Sequence, residues 1–149
     1  MLGLNLVNSL SHTAHLSLTP DRSELNCLDG KSVSNYIAKE QPEMVIHCAG
    51  TVGGISANIA SPFLFFKDNM LMGLNVIDAC VDAGVKELIN ISSTNIYPDD
   101  KVGGVFFESE ILSGKLNEST EGYGLAKGCT AKVAEYASNQ FGVSYRSIV

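Results

Sequence analysis

The chain has 149 residues and 45% hydrophobic content, enough for one domain with a sizeable core. Ten basic against sixteen acidic residues leave a net charge of −6, and no basic run would track a phosphate backbone, which argues against nucleic acid and anionic membranes as partners. No apolar stretch reaches membrane-spanning length and Met1 opens no signal peptide, so a cytoplasmic protein is expected.

Strand and helix signals alternate along the chain. Residues 2–10 read as a helix with Leu2, Leu6, Val7 and Leu10 on one face. Ala14 to Leu18 reads as a short strand, and Pro20-Asp21-Arg22 as a turn. Asp29 is an N-cap for a helix to about Lys39, and Pro42 precedes a buried strand over 43–49. Ser61-Pro62 opens a long helix to about Ala83, with Phe63, Phe66, Met70, Leu74, Ile77 and Val81 at helical spacing and Gly84 closing it. Glu87 to Ser92 predicts another apolar strand, 94–119 a long loop, Thr120 to Gln140 a helix ended by Gly142, and Val143 to Val149 a last strand. Such alternation predicts an α/β fold, a Rossmann-like, doubly wound parallel sheet with crossover helices. The chain opens on a helix and stops within a strand. Residues 1–149 are therefore expected to form part of an NAD(P)-binding Rossmann-like domain, lacking its first strand and the C-terminal substrate domain.

Cys27, Cys48, Cys80 and Cys129 are far apart and form no Cys-x-x-Cys, which fits buried free thiols better than disulfides or zinc. His12, His15 and His47 add no metal spacing, so no metal is expected. His47 lies in the strand-like run Met44 to Ala49 and reads as a satisfied core histidine.

Tyr123-Gly124-Leu125-Ala126-Lys127 puts a phenol and an ammonium four residues apart, on one helix face. A lysine so placed can favour the phenolate and suit the tyrosine to acid/base work. Alone the pair is weak, since chance supplies Tyr-x-x-x-Lys in roughly one such chain in four.

The surrounding residues add weight: Val52-Gly53-Gly54-Ile55 with Ala57, Asn58 and Pro62; Asn69 and Asn75; Ser92-Ser93 leading to Ile96-Tyr97-Pro98; and Glu108-Ser109-Glu110, Leu112, Gly114, Leu116 and Glu121 before Tyr123. This ordered set resembles the extended short-chain dehydrogenase/reductases, and within them the GDP-L-fucose synthase family of GDP-L-fucose biosynthesis. Members epimerise a GDP-4-keto-6-deoxy sugar and reduce it with NADPH.

The resemblance implies NADP as cofactor and a nucleotide sugar as substrate. Ser93 would donate a hydrogen bond to the C4 ketone, Tyr123 would protonate that oxygen, and Lys127 would tune Tyr123 and hydrogen-bond the nicotinamide ribose. Gly3 matches the end of the glycine-rich turn beside the pyrophosphate. Arg22 would pair with the NADP 2′-phosphate or be a solvated turn arginine, and Glu24, Leu25 and Asn26 after it would also meet the cofactor. Ala49, Gly50, Ile91 and Ser92 would line the dinucleotide, and Val52, Gly53, Thr94 and Asn95 the sugar. Family members often dimerise through the two long helices, here 62–83 and 120–140, so a homodimer is expected.

One departure bears on the reaction. The family's epimerase cysteine falls at Asn95, or at Thr94 under a shifted alignment, and neither side chain shuttles a proton as a thiol does. Epimerisation is therefore in doubt and plain C4 reduction of a related sugar or heptose gains weight. Gly124 and Thr130 stand where alanine and glycine are usual, and read as packing changes. An NAD-dependent nucleotide-sugar 4-epimerase or dehydratase, a non-enzymatic binding protein and an inactive fragment remain as alternatives.

Overall fold

The computed structural model describes residues 2–99 and 104–149. The chain folds into α1 (Leu2–Leu10), α2 (Gly30–Glu40), β1 (Met44–His47), α3 (Ile55–Ala60), α4 (Pro62–Asp82), β2 (Glu87–Ile91), α5 (Glu121–Phe141) and β3 (Ser144–Ile148). Single 3-10 turns at Thr94–Ile96, Glu108–Glu110 and Glu118–Thr120 punctuate the connection between β2 and α5. The strands form one parallel sheet in the order β1-β2-β3. Parallel neighbours need crossovers, which α4 and α5 supply.

Helix limits follow local chemistry. The Asp29 carboxylate accepts from the Lys31 amide at 3.0 Å and caps α2 as expected. Pro62 occupies the first turn of α4, and Gly84 (φ 72°) and Gly142 (φ 66°) turn the chain left-handed after α4 and α5.

The core lies on one face of the sheet. Val45, Leu88 and Tyr145 are direct partners across the three strands. Val33 and Ile37 of α2, Val76, Ile77 and Cys80 of α4, and Ala134 and Ala137 of α5 pack against them. Tyr145 lies within this cluster because its hydroxyl donates to the Val85 carbonyl at 2.9 Å. α4 and α5 cross at Gly73 and Thr130, where the fully buried threonine fills the space that a β-carbon on Gly73 would need.

One expectation fails. Ala14 to Leu18 belongs to no strand; each of these residues is exposed, Leu16 at 91%. A strand is a paired object: its ladder and a buried face stabilise it, and no strand among the described residues runs beside this segment. α3 and the three 3-10 turns are additions to the expected elements. None of the described helices is long and apolar enough to cross a membrane.

Candidate functional site

Ligands of open α/β sheets bind beyond the carboxyl ends of the strands. Here those ends are Cys48–Thr51 after β1 and Ser92–Ile96 after β2, with the first turns of α5 above them.

Buried asparagines fix both the loop and its helix. Asn69 of α4 donates to the Thr51 and Phe65 carbonyls at 2.9 and 2.7 Å and accepts from the Thr51 amide at 3.2 Å. Asn58 of α3 donates to the Gly53 and Gly54 carbonyls at 3.1 and 3.2 Å. Asn75 ties α4 to the Cys27 carbonyl at 2.9 Å. The asparagines of the signature thus pin backbone that has left the sheet and lost its ladder partners.

After β2 the chain turns sharply. Ser93 caps the Thr94–Ile96 turn, its Oγ accepting from the Asn95 amide at 3.3 Å. That bond uses a lone pair and leaves the hydroxyl hydrogen free to donate. The Asn95 carbonyl abuts the Cα of Gly124 so tightly that a β-carbon there would overlap it. The contact brings the turn bearing Ser93 against the helix bearing Tyr123 and Lys127. Leu112 (φ 56°) donates its amide to the Ile96 carbonyl at 3.0 Å and seats its side chain on Gly128, closing the other flank.

Tyr123 is half-buried, and Lys127 lies one helical turn further along α5. Lys127 is 6% exposed and makes no ion pair or hydrogen bond among the described residues. Burial holds its ammonium below the usual lysine range, with the neighbouring Cys48 opposing the shift. The same proximity acts on β1. Burial, and then the Lys127 charge, push His47 down to about 4, so this buried imidazole is neutral near pH 7. Its ring has no hydrogen-bond partner among the described residues. A buried lysine with no counter-charge is costly to keep and marks a candidate site.

A cavity of about 490 Å³ opens at the turn after Ser93, lined by Gly53, Thr94, Asn95, Tyr97, Phe106 and Asn117 among others; Ser93, Tyr123 and Lys127 are not in its lining. Tyr97 and Phe106 stack with centroids 5.0 Å apart to form one wall. Gly53, Thr94 and Asn95, expected to meet a sugar, are in its lining, whereas Val52 is 72% exposed outside it. A larger hollow of about 700 Å³ between Ser17–Pro20 and α2 includes Glu24, one of the residues expected at the dinucleotide, in its lining, and its Lys39 is paired with Glu40 at 2.6 Å.

The residues expected to hold a dinucleotide fall into two groups. Ala49 and Gly50 are exposed at the end of β1, and a β-carbon on Gly3 would lie 3.7 Å from the Cys48 Cβ. The start of α1 therefore reaches the same edge. Ser92 is buried with its Oγ unpartnered, and Ile91 is half-buried beside it. This edge, small and exposed at β1 and with a spare hydroxyl at β2, fits a dinucleotide lying across it. Arg22 stands apart, exposed in a turn and without an ion pair among the described residues. Glu24 closes that turn by accepting from the Asp21 amide at 3.0 Å, Leu25 packs on the core, and Asn26 accepts from the Leu28 amide at 3.2 Å. Sequence reasoning missed His47 and Cys48 as neighbours of Lys127, and Phe106 as a cavity wall. The alternation of β1 was the available signal for His47.

Residues 1–149 match the NAD dependent epimerase/dehydratase family over their whole length. The chain is 38% identical over 140 residues to GDP-L-colitose synthase of Yersinia pseudotuberculosis, covering 94% of this chain and 45% of that protein. It is 36% identical to GDP-L-fucose synthase of Azorhizobium caulinodans, covering 100% and 47%. Among solved structures, DdhaC superposes with a TM-score of 0.92 at 29% identity, over 99% of this chain and 42% of that one. MlghC, a GDP-mannoheptose C4 reductase from Campylobacter jejuni with NADP bound, gives 0.90 at 27%, over 97% and 43%. The chain spans about half the length of the curated relatives it matches. With the Rossmann-type sheet, Tyr123, Lys127 and the signature loops in place, this chain belongs to the NAD dependent epimerase/dehydratase family.

Proposed function

We propose that the protein carrying this chain reduces the C4 ketone of a GDP-linked 4-keto-6-deoxy sugar or heptose with NADPH, without epimerising C3 or C5. The observation that carries this reading is Lys127, buried and unpaired one turn from Tyr123 on a helix locked to the Ser93 turn. The relatives named for GDP-L-fucose and GDP-L-colitose synthesis, and the C4 reductase with NADP bound, support the substrate class and the cofactor.

Bound NADPH supplies the hydride. The chain's own groups do the rest: Ser93 donates its free hydroxyl hydrogen to the ketone oxygen, and Tyr123 delivers a proton to that oxygen as charge develops on it. Lys127 holds the nicotinamide ribose and favours negative charge along this helix face. Arg22 meets the 2′-phosphate, while Gly3, Ala49, Gly50 and Ser92 bound the dinucleotide. Asn95 lines the cavity, and its amide does not titrate as proton shuttling at C3 and C5 would need. Two copies pair through the apolar faces of α4 and α5, where Phe63, Leu64, Leu71 and Tyr136 are exposed.

The test is NADPH oxidation by the full-length protein with GDP-4-keto-6-deoxymannose in heavy water. The expected product is reduced at C4 and carries no deuterium at C3 or C5. Tightly retained NAD with C4 epimerisation, or no NADPH consumption, would overturn the reading.

A further inference from the structure

The cavity beyond the Ser93 turn carries a fixed carboxylate that the reduction itself does not use. Asp99 lines it together with the stacked pair Tyr97 and Phe106. The backbone of Asp99 is tied down, its amide donating to the Lys115 carbonyl at 2.9 Å. Its side chain is tied as well: Oδ2 accepts from Asn117 Nδ2 at 3.0 Å. Asn117, also in the lining, is held in turn, because its Oδ1 accepts from the Ser119 amide at 3.1 Å and hydroxyl at 2.5 Å. A carboxylate offers about four lone-pair sites, and Asn117 uses one of them. Asp99 Oδ1 has no partner among the described residues.

Charge narrows what this cavity can hold. Asp99 is the one charged residue in the lining among the described residues, so the diphosphate of a nucleotide sugar is repelled from it. An uncharged ligand can satisfy the carboxylate only with hydroxyl or amide hydrogens. A methyl group in the same place would strip water from the charge and return no hydrogen bond. An aromatic wall with a few fixed polar groups is the usual make-up of a small-molecule site. Thr94 and Asn95, which follow Ser93 directly, belong to the same lining, so a sugar held here lies next to the turn whose hydroxyl would meet its ketone.

We infer that Asp99, oriented by Asn117, is a specificity residue that accepts hydrogen bonds from hydroxyl groups of the substrate sugar, packed against the Tyr97–Phe106 wall. The inference rests on the C4-reductase reading above for the identity of the sugar. The hydroxyls are those of the pyranose ring or of a heptose side chain on C5; the methyl of a 6-deoxyhexose does not face Asp99.

The experiment takes the natural full-length protein and measures binding of GDP and of GDP-mannose by titration calorimetry. Asp99→Ala should weaken GDP-mannose binding about tenfold or more, the loss of charge-assisted hydrogen bonds, and leave the affinity for GDP unchanged. Asp99→Asn keeps one acceptor oxygen without the charge and should fall between parent and Asp99→Ala. In turnover the sugar KM should rise far more than the NADPH KM. Comparing a GDP-4-keto-6-deoxyhexose with a GDP-4-keto-heptose then locates the hydroxyls: a penalty on both assigns ring hydroxyls, and a penalty on the heptose alone assigns its side chain. Equal loss of GDP and GDP-mannose binding would make Asp99 a structural residue, and unchanged GDP-mannose binding would put the sugar elsewhere; either result overturns the inference. If the parent protein reduces no keto sugar, the functional reading fails while the calorimetric arms still decide this one.

Discussion

The Asn95 carbonyl rests directly on the Cα of Gly124, and this contact sets the distance between the Ser93 turn and the Tyr123 helix. Backbone meets backbone there, so no rotamer change can relieve an added methyl. Gly124→Ala gains about 1 kcal/mol of helix propensity, yet the overlap should cost about 1–3 kcal/mol. Because the displaced neighbour is Tyr123, turnover should fall further than stability, about tenfold to a hundredfold. Thermal unfolding and kcat on one preparation check this; a variant as stable and active as the parent would show the contact to be slack.

Gly73 and Thr130 form a second matched pair, deeper in the α4–α5 crossing. A β-carbon on Gly73 would come within 2.7 Å of Thr130 Oγ1, and Thr130 is held by its bond to the Ala126 carbonyl at 2.8 Å. Gly73→Ala should therefore destabilise the fold by about 1–3 kcal/mol. Adding Thr130→Ala removes the overlapping atoms and should recover about 1 kcal/mol or more, a coupling that denaturant unfolding of the cycle measures. Strict additivity would mean that the two residues do not meet.

Much of this was legible in the sequence, and the rest failed for identifiable reasons. Helical period placed Tyr123 and Lys127 on one face, and turn chemistry placed Asp29, Gly84 and Gly142 at helix ends. Gly124 and Thr130 both sit at tight contacts, but their partners Asn95 and Gly73 lie far away in sequence and no local pattern names them. The alignment of His47, Asn90 and Ser147 across the three strands depends on strand register, which alternation fixes only within one strand. Ala14 to Leu18 carries a strand-like composition, and composition supplies no partner strand.

Arg22 is exposed and makes no ion pair among the described residues, so its guanidinium is available to a ligand phosphate. NADH lacks the 2′-phosphate. Arg22→Ala should raise the KM for NADPH about tenfold or more, the loss of a charge-assisted pair, and leave the KM for NADH nearly unchanged. Equal effects on both would remove Arg22 from the phosphate site.

Asn95 meets Gly124 and Ser93 through its backbone and is among the residues that line the cavity. Asn95→Cys therefore keeps both backbone contacts while adding a group that titrates. Deuterium wash-in at C3 or C5 should be absent in the parent and measurable by mass spectrometry in the variant, with C4 reduction retained. Wash-in by the parent would show that a group other than residue 95 moves the proton.

His47 gives the chain an acid limit that carboxylates alone would not. Its folded value of about 4 lies below the 6.5 of an unhindered histidine, because burial, and then the Lys127 charge, disfavour the imidazolium. The unfolded chain therefore binds the extra proton first as pH falls. The stabilisation by neutral His47 is complete above 6.5 and drains away between 6.5 and about 4. Over that window the loss amounts to about 3 kcal/mol. Lys127 is also lowered by burial. His47→Gln should flatten the pH dependence of unfolding free energy between pH 6.5 and 4.5, where carboxylates contribute little. Urea unfolding at half-unit pH steps checks it. A parent and variant with parallel curves would mean that His47 is solvated.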